Sequence, residues 1–185
     1  KSLRNLDFPI NWESIVDYLG GFPLVLKDAH GGGWKEVYIV HSMEELWQSY
    51  DDSGLLTMIL QEFITWDTYA RCMCLAQEEV RVMQYNPNER YYYPEPEFDK
   101  ALFDKIHDDT LAICKAFGYD MNTCEFAVRD GIPYAIDFMN PAPDMDVNSL
   151  GQNHFDWMVT KMADHMIRLA QSNTQTRSRY DWGQL

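Results

Sequence analysis

The sequence predicts an α+β fold of two small lobes, each an antiparallel sheet with helices. Three observations predict it. Short apolar runs bounded by Gly, Pro, Asn and Asp alternate with segments of helical period. Tight turns join neighbouring runs. With 185 residues, 46% hydrophobic and 14% aromatic, the chain is long and apolar enough to bury a real core.

The first lobe is expected over residues 1–64. Asn11 can cap a helix whose apolar face is Trp12, Ile15, Val16 and Leu19, with Gly20 and Gly21 ending it. Phe22 to Lys27 is a compact apolar run ending in one charge and reads as a strand. His30 to Lys35 is a glycine loop, and Val37 to His41 a second strand, so the two flank the loop as a hairpin. Ser42 to Glu45 is a capping box opening a helix to about Tyr50, stopped by Asp51 to Gly54. Leu56 to Ile64 reads as a buried strand.

The second lobe is expected over residues 65–171, with 172–185 as a tail. Tyr69 to Ala76 and Val80 to Tyr85 alternate like paired strands around Gln77-Glu78-Glu79. Asn86 to Pro96 reads as a long aromatic loop. Leu102, Ile106, Ile113 and Phe117 fall on one helical face, with Gly118 as C-cap. Asn122 to Arg129 and Pro133 to Phe138 form a hairpin turned by Asp130-Gly131. Asn140 to Gly151 is a polar loop. Phe155, Met158, Val159, Met162, Met166 and Leu169 mark the apolar side of a last helix.

Composition excludes some functions. A net charge of −14 leaves no basic surface to replace phosphate counterions, so nucleic acid is not an expected partner. No run of 18 apolar residues is present, so no membrane helix is expected. The chain opens on Lys1 with no leader and no Met, as a piece of a longer protein would. Cys72, Cys74, Cys114 and Cys124 form no C-x-x-C pair, and no glycosylation sequon occurs; reduced thiols in the cytoplasm fit best.

Three constellations carry chemistry. Glu125 and Asp137 lie on neighbouring strands of the Asp130-Gly131 hairpin, with Asn140 just beyond. Two carboxylates and an amide oxygen are hard ligands suited to Mg²⁺ on nucleotide phosphates; taken alone, they fit a solvated outer strand face equally well. Lys27 ends a buried strand beside Gly31, Gly32 and Gly33. A lysine there can pair with phosphate oxygens while glycine N–H groups close over them, although such a loop by itself is most often a plain turn. The Walker pattern G-x-x-x-x-G-K-[ST] is absent. Gln61-Glu62-Phe63-Ile64 ends a strand that can offer backbone groups to an adenine edge, or is simply a buried strand end.

The order of these pieces resembles the ATP-grasp superfamily, in the branch of glutathione synthetase-like and carboxylate–amine ligases. The runs FPLVLKDAHGGGWKEVYIV, ILQEFI and EFAVRDGIPYAIDFMNPAPD carry the resemblance, which covers roughly residues 10–170. It implies an ATP-grasp fold with the nucleotide between the two lobes, and ATP with Mg²⁺ as cofactors, Mn²⁺ being the alternative ion. Lys27 resembles the lysine on the α/β-phosphates, and Gly31, Gly32 and Gly33 the phosphate lid. Gln61 resembles the group that receives the adenine amine, and Glu62, Phe63 and Ile64 the hinge along the adenine. Asp67 resembles the ribose acid, one residue short of the usual offset. Glu125, Asp137 and Asn140 resemble the metal ligands. Three departures stand out. Phe138 and Met139 separate Asp137 from Asn140 where one residue is usual, an excess that a β-bulge can absorb. Thr123 stands where many ligases carry Arg, and the N-terminal domain that usually supplies another phosphate lysine is not part of this chain.

By the same resemblance the activity is phosphorylation of a carboxylate by ATP, followed by attack of an amine or similar nucleophile on the acyl phosphate. Arg71 then faces the transferred phosphate and Arg90 an anionic substrate. His30, Asp144 and Asp146 read as solvent-facing loop residues. Partners are small-molecule carboxylates and amines and the protein's own N-terminal domain, which lies outside this chain; a homo-oligomer is left open. A phosphotransferase on the same scaffold, and a non-catalytic nucleotide-binding or interaction module, are the alternatives.

Overall fold

The computed structural model describes residues 9–172. The chain divides into two compact units, Lys1–Ile64 and Thr65–Leu185.

In the first unit, Asn11 caps helix α1 (Trp12–Tyr18) by accepting the Ser14 N–H at 3.1 Å. Strands β1 (Leu24–Asp28), β2 (Val37–Val40) and β3 (Met58–Glu62) form an antiparallel sheet in the order β2-β1-β3. Helix α2 (Met43–Asp52) opens with the expected box: Glu45 N–H donates to Ser42 Oγ, and the Glu45 carboxylate takes the His41 N–H at 2.8 Å. Strand alternation sends Leu24 and Leu26 into a core with Val16, Val40 and Leu46. Val25 and Lys27 therefore point from the opposite face. The expected Leu56–Ile64 strand is shorter and less buried, because β3 is an edge strand and Ile59 stays 41% exposed.

In the second unit, strands β4 (Thr68–Leu75), β5 (Glu79–Asn86), β6 (Tyr91–Tyr92), β7 (Met121–Arg129) and β8 (Ile132–Asn140) form one antiparallel sheet in the order β6-β5-β4-β7-β8. Helix α3 (Lys100–Phe117) crosses one face, capped by Asp99 at its start and by left-handed Gly118 at its end. Beneath it lie Ala70, Cys72, Cys74, Val82, Cys124, Phe126 and Val128, with Ile106 and Cys114 from the helix. Each large side chain here contributes about 1.5–3 kcal/mol by leaving water.

Several expectations are corrected. The aromatic loop contains β6, because Tyr92 is buried against Tyr85 with ring centroids 4.6 Å apart. The polar loop after Asn140 contains a short helix, α4 (Val147–Leu150), capped by Asp146 and anchored by buried Leu150. Phe117 of α3 is exposed; the buried line is Ile106, Thr110 and Cys114. The last helix, α5 (Gln152–Ser172), buries His154 and Met158, while Val159 and Met166 face out. Its polar side chains tie it to the sheet: Lys161 pairs with Glu79 at 2.8 Å and Arg168 with Glu78 at 3.2 Å. The tail expected over 172–185 lies, from residue 173 on, outside the described residues. Among the described residues no helix is long and apolar enough to cross a membrane.

Candidate functional site

The β7–β8 hairpin turns at Asp130 and Gly131, both with positive φ (53° and 73°), the geometry that Asp-Gly favours. Its register puts Glu125 directly opposite Asp137. Opposed residues in a pair of strands point to the same face, so the two carboxylates share a side of the sheet. The same alternation puts Glu125 on the face away from the α3 core.

Asn140 reaches that side through an irregularity. It pairs with Thr123, two residues before Glu125, yet three positions separate Asn140 from Asp137 on β8. Phe138 and Met139 together oppose Cys124, which is a β-bulge. A second irregularity lies between Glu125 and Phe126, where β8 takes up Ile136. The extra residue seen in the sequence is thus absorbed, and Asn140 stands in the row of Glu125 and Asp137.

Arg71 of β4 pairs with Glu125 from the other side. Its Nε lies 3.5 Å from Glu125 Oε1, an ion-pair distance without hydrogen-bond geometry, and Nη1 donates to the Tyr92 hydroxyl at 2.5 Å. Burial opposes the guanidinium charge, but Tyr92 and Glu125 outweigh it and hold the pKa above its ordinary value. Tyr69, two residues before Arg71, donates its hydroxyl to Glu125 Oε2. Burial and then the Glu125 charge push the Tyr69 pKa far up, so it stays a donor. Arg90 is exposed, with φ 52°, in the turn between β5 and β6. Its charge, with that of Arg71, acts on the Tyr85 hydroxyl against burial and Glu125. The second unit therefore gathers Glu125, Asp137, Asn140 and Arg71, and Arg90 acts on a neighbouring tyrosine.

Asp67 is placed differently. Its carboxylate accepts the Asp130 N–H at 2.8 Å, and its own N–H donates to Val128 at 2.8 Å. It fastens the hairpin turn, at the opposite end of β7 from Thr123 and Asn140.

In the first unit Lys27 pairs with Val37 and Ile59, and Gln61 with Val25. Lys27 and Gln61 thus share the sheet face opposite the helices. Glu62 ends β3, and Phe63 and Ile64 follow it. Gly31 lies in the exposed loop after Asp28; a Cβ there would meet the Asp28 side chain at 3.1 Å and its carbonyl at 3.3 Å, so a larger residue would crowd the loop at that point. Gly32 and Gly33 face open space, Gly33 with φ 64°.

Four residues of this region were given no role by the sequence reading: Tyr69, Tyr92, Thr123 and Asn122. Only the alternation of β4 and β7 could have flagged the first and third, as polar partners in the rows of Arg71 and Glu125. Two buried side-chain atoms in the described structure lack hydrogen-bond partners, Arg71 Nε and Thr123 Oγ1. Buried polar atoms are ordinarily paired, so both are exceptions, and both stand beside Glu125. Among the described residues no three His, Cys, Asp or Glu side chains gather as a ready-made metal cage. Two carboxylates and an amide still suit Mg²⁺, which typically takes one or two carboxylates and completes its shell with phosphate and water.

No family model matches the chain. Human mitochondrial pyruvate carboxylase is 26% identical over 137 residues, spanning 63% of this chain and 12% of that protein. The rat enzyme matches to the same extent. Among solved structures, D-alanine–D-alanine ligase from Bacillus anthracis superimposes with a TM-score of 0.70 at 19% identity, covering 89% of this chain and 60% of the ligase. N5-carboxyaminoimidazole ribonucleotide synthetase from Thermus thermophilus gives 0.60 at 19% identity, over 76% of this chain and 40% of that one. The biotin carboxylase domain of Hydrogenobacter thermophilus 2-oxoglutarate carboxylase, solved with MgADP and bicarbonate, gives 0.59 at 18% identity, over 74% and 34%. The chain spans only part of each relative. These likenesses establish the fold, which is the ATP-grasp fold.

Proposed function

We propose that this chain is the nucleotide-binding part of an ATP- and Mg²⁺-dependent ligase, which activates a carboxylate for attack by an amine or similar nucleophile. The observation that carries the reading is the register of the β7–β8 hairpin: Glu125 opposite Asp137, with Asn140 brought into their row and Arg71 beside Glu125. Solved proteins of the same fold include a ligase complexed with ATP and a carboxylase domain holding MgADP.

In this reading Glu125, Asp137 and Asn140 hold Mg²⁺, which when bound neutralises charge on the phosphates and polarises them. Lys27 pairs with phosphate oxygens, and the Gly31–Gly33 loop presents N–H groups to them while excluding water. Gln61 and the Glu62–Ile64 backbone take the adenine edge. The edge position of β3 suits that task, since among the described residues no further strand covers its outer side. Asp67 takes the ribose hydroxyls, the Asp130 N–H holding one of its two carboxylate oxygens. Arg71 orients the transferred phosphate, kept charged by Tyr92 and Glu125, and Arg90 receives an anionic group of the substrate. The substrate carboxylate attacks the γ-phosphorus and ADP leaves. The amine then attacks the acyl phosphate and inorganic phosphate leaves. Acid and amine are small molecules, the N-terminal domain completes their pocket, and the reduced thiols suit the cytoplasm.

An ADP-release screen of amino acids and small peptides, run on the full-length enzyme, tests this. Release of ADP and phosphate that requires both an acid and an amine supports ligation. ADP release that needs one acceptor only, with no free phosphate, contradicts it and indicates phosphotransfer.

A further inference from the structure

We infer that Asn122 is the positioning residue of the β7–β8 hairpin, its carboxamide holding β8 in the bulged register that carries Asn140 into the row of Glu125 and Asp137. The functional half of this inference rests on the Mg²⁺–nucleotide reading above; its structural half rests on hydrogen bonds alone.

Asn122 is fully buried, on the core side of β7 among the cysteines. An amide is costly there unless its donors and acceptor are used. Both of its shortest bonds go to β8. Oδ1 accepts the Asn140 N–H at 2.8 Å, and Nδ2 donates to the Phe138 carbonyl at 2.8 Å. Weaker contacts from Nδ2 to Cys124 Sγ at 3.4 Å and Cys114 Sγ at 3.5 Å fix the amide on its inner side. The two backbone groups it takes, Phe138 C=O and Asn140 N–H, bracket Met139, in the stretch where β8 carries its extra residue.

A bulge disrupts the regular ladder and leaves backbone groups to be satisfied by other means. Here one side chain does so with both a donor and an acceptor. Aspartate lacks the donor, alanine lacks both, and leucine would put an apolar group against them. Without the clamp, β8 is free to close the bulge by shifting one residue, and a one-residue slip sends each side chain to the opposite face. Asn140 or Asp137 would then leave the row of Glu125.

The test uses the full-length protein, Asn122→Ala, and Asn122→Ala combined with deletion of Met139. Removing the extra residue removes the need for a clamp. Mn²⁺ binding in the presence of ADP is read by electron paramagnetic resonance, ADP binding without metal by calorimetry, and backbone exchange over 138–140 by hydrogen–deuterium exchange. The wild-type Asn140 amide should exchange slowly although it ends an edge strand. Asn122→Ala should lose that protection and weaken Mn²⁺ binding about 10–100-fold, as loss of an outer-shell support typically does, with metal-free ADP binding unchanged. Deleting Met139 should restore most of the metal affinity. Fast exchange of Asn140 in the wild type overturns the clamp whatever the variants do. So does unchanged Mn²⁺ affinity in a folded Asn122→Ala protein, or a folded deletion variant that recovers nothing. If the wild type with ADP binds no Mn²⁺, the nucleotide reading fails, and the exchange data alone decide the clamp.

Discussion

Replacing Arg71 by Met tests the electrostatics of the site. The guanidinium and the Glu125 carboxylate have 12% and 20% of their side chains exposed, with Nε and Oε1 3.5 Å apart. Breaking a buried ion pair by deleting one partner typically costs about 3–5 kcal/mol, since the other charge is left without compensation. This pair keeps some solvent and lacks hydrogen-bond geometry, which argues for the low end. The lost bond to Tyr92 OH is charge-assisted and falls within about 1.5–3 kcal/mol. These effects overlap, so roughly 3 kcal/mol is expected for Arg71→Met. For a chain of this size each kcal/mol moves Tm by about 2–4 °C, which gives a fall of about 6–12 °C. Glu125→Gln should cost less, because Arg71 keeps its Tyr92 bond. Calorimetric melts of both single variants and the double variant complete a cycle, with an expected coupling of about 1–2 kcal/mol. A Tm drop under about 2 °C for Arg71→Met, or strictly additive singles, would refute the pairing.

Two further outcomes follow from buried groups. All four thiols are buried, and burial pushes the Cys72 thiol up to about 12, so a thiol reagent at neutral pH should label the native protein slowly and the denatured protein fully; rapid native labelling contradicts the packing. His154 is 3% exposed, takes the Arg81 N–H at 3.2 Å, and has its pKa lowered below 6.5 by burial and by the Arg81 charge. The unfolded state therefore binds this proton first, so stability from neutral His154 is complete above pH 6.5 and declines as the pH falls below it. His154→Gln should flatten that part of the Tm profile, and an unchanged slope would assign it to other groups.

Much of the fold was legible because it rests on local chemistry. The Ser42–Glu45 box, the Asp130-Gly131 turn and the left-handed Gly118 each need particular residue types, and each formed where those residues stand. What stayed hidden was decided by partners far away in sequence. The side of α5 that packs on the sheet includes His154 and Lys161, whose polarity conceals it from an apolar count; their contacts are Arg81, Tyr93 and Glu79. Tyr91–Tyr92 became a strand because β5 offered an edge and Tyr85 a ring. In the candidate site, alternation indicated that Glu125 and Asp137 share a side. The spacing to Asn140 was visible as an anomaly, but its resolution by a bulge depends on Asn122, a residue that sequence patterning reads only as one more strand position.

The proposed function assigns magnesium to Glu125 and Asp137 and a nucleotide phosphate contact to Lys27. Calorimetric titration of ATP into the full-length protein, with and without Mg²⁺, tests it most directly when repeated on Lys27→Ala and Asp137→Ala. The account predicts Mg²⁺-dependent binding in the wild type, loss of the Mg²⁺ dependence in Asp137→Ala, weakened binding in Lys27→Ala, and unfolding profiles that remain cooperative in both. Wild-type affinity and wild-type Mg²⁺ dependence in both folded variants would contradict it.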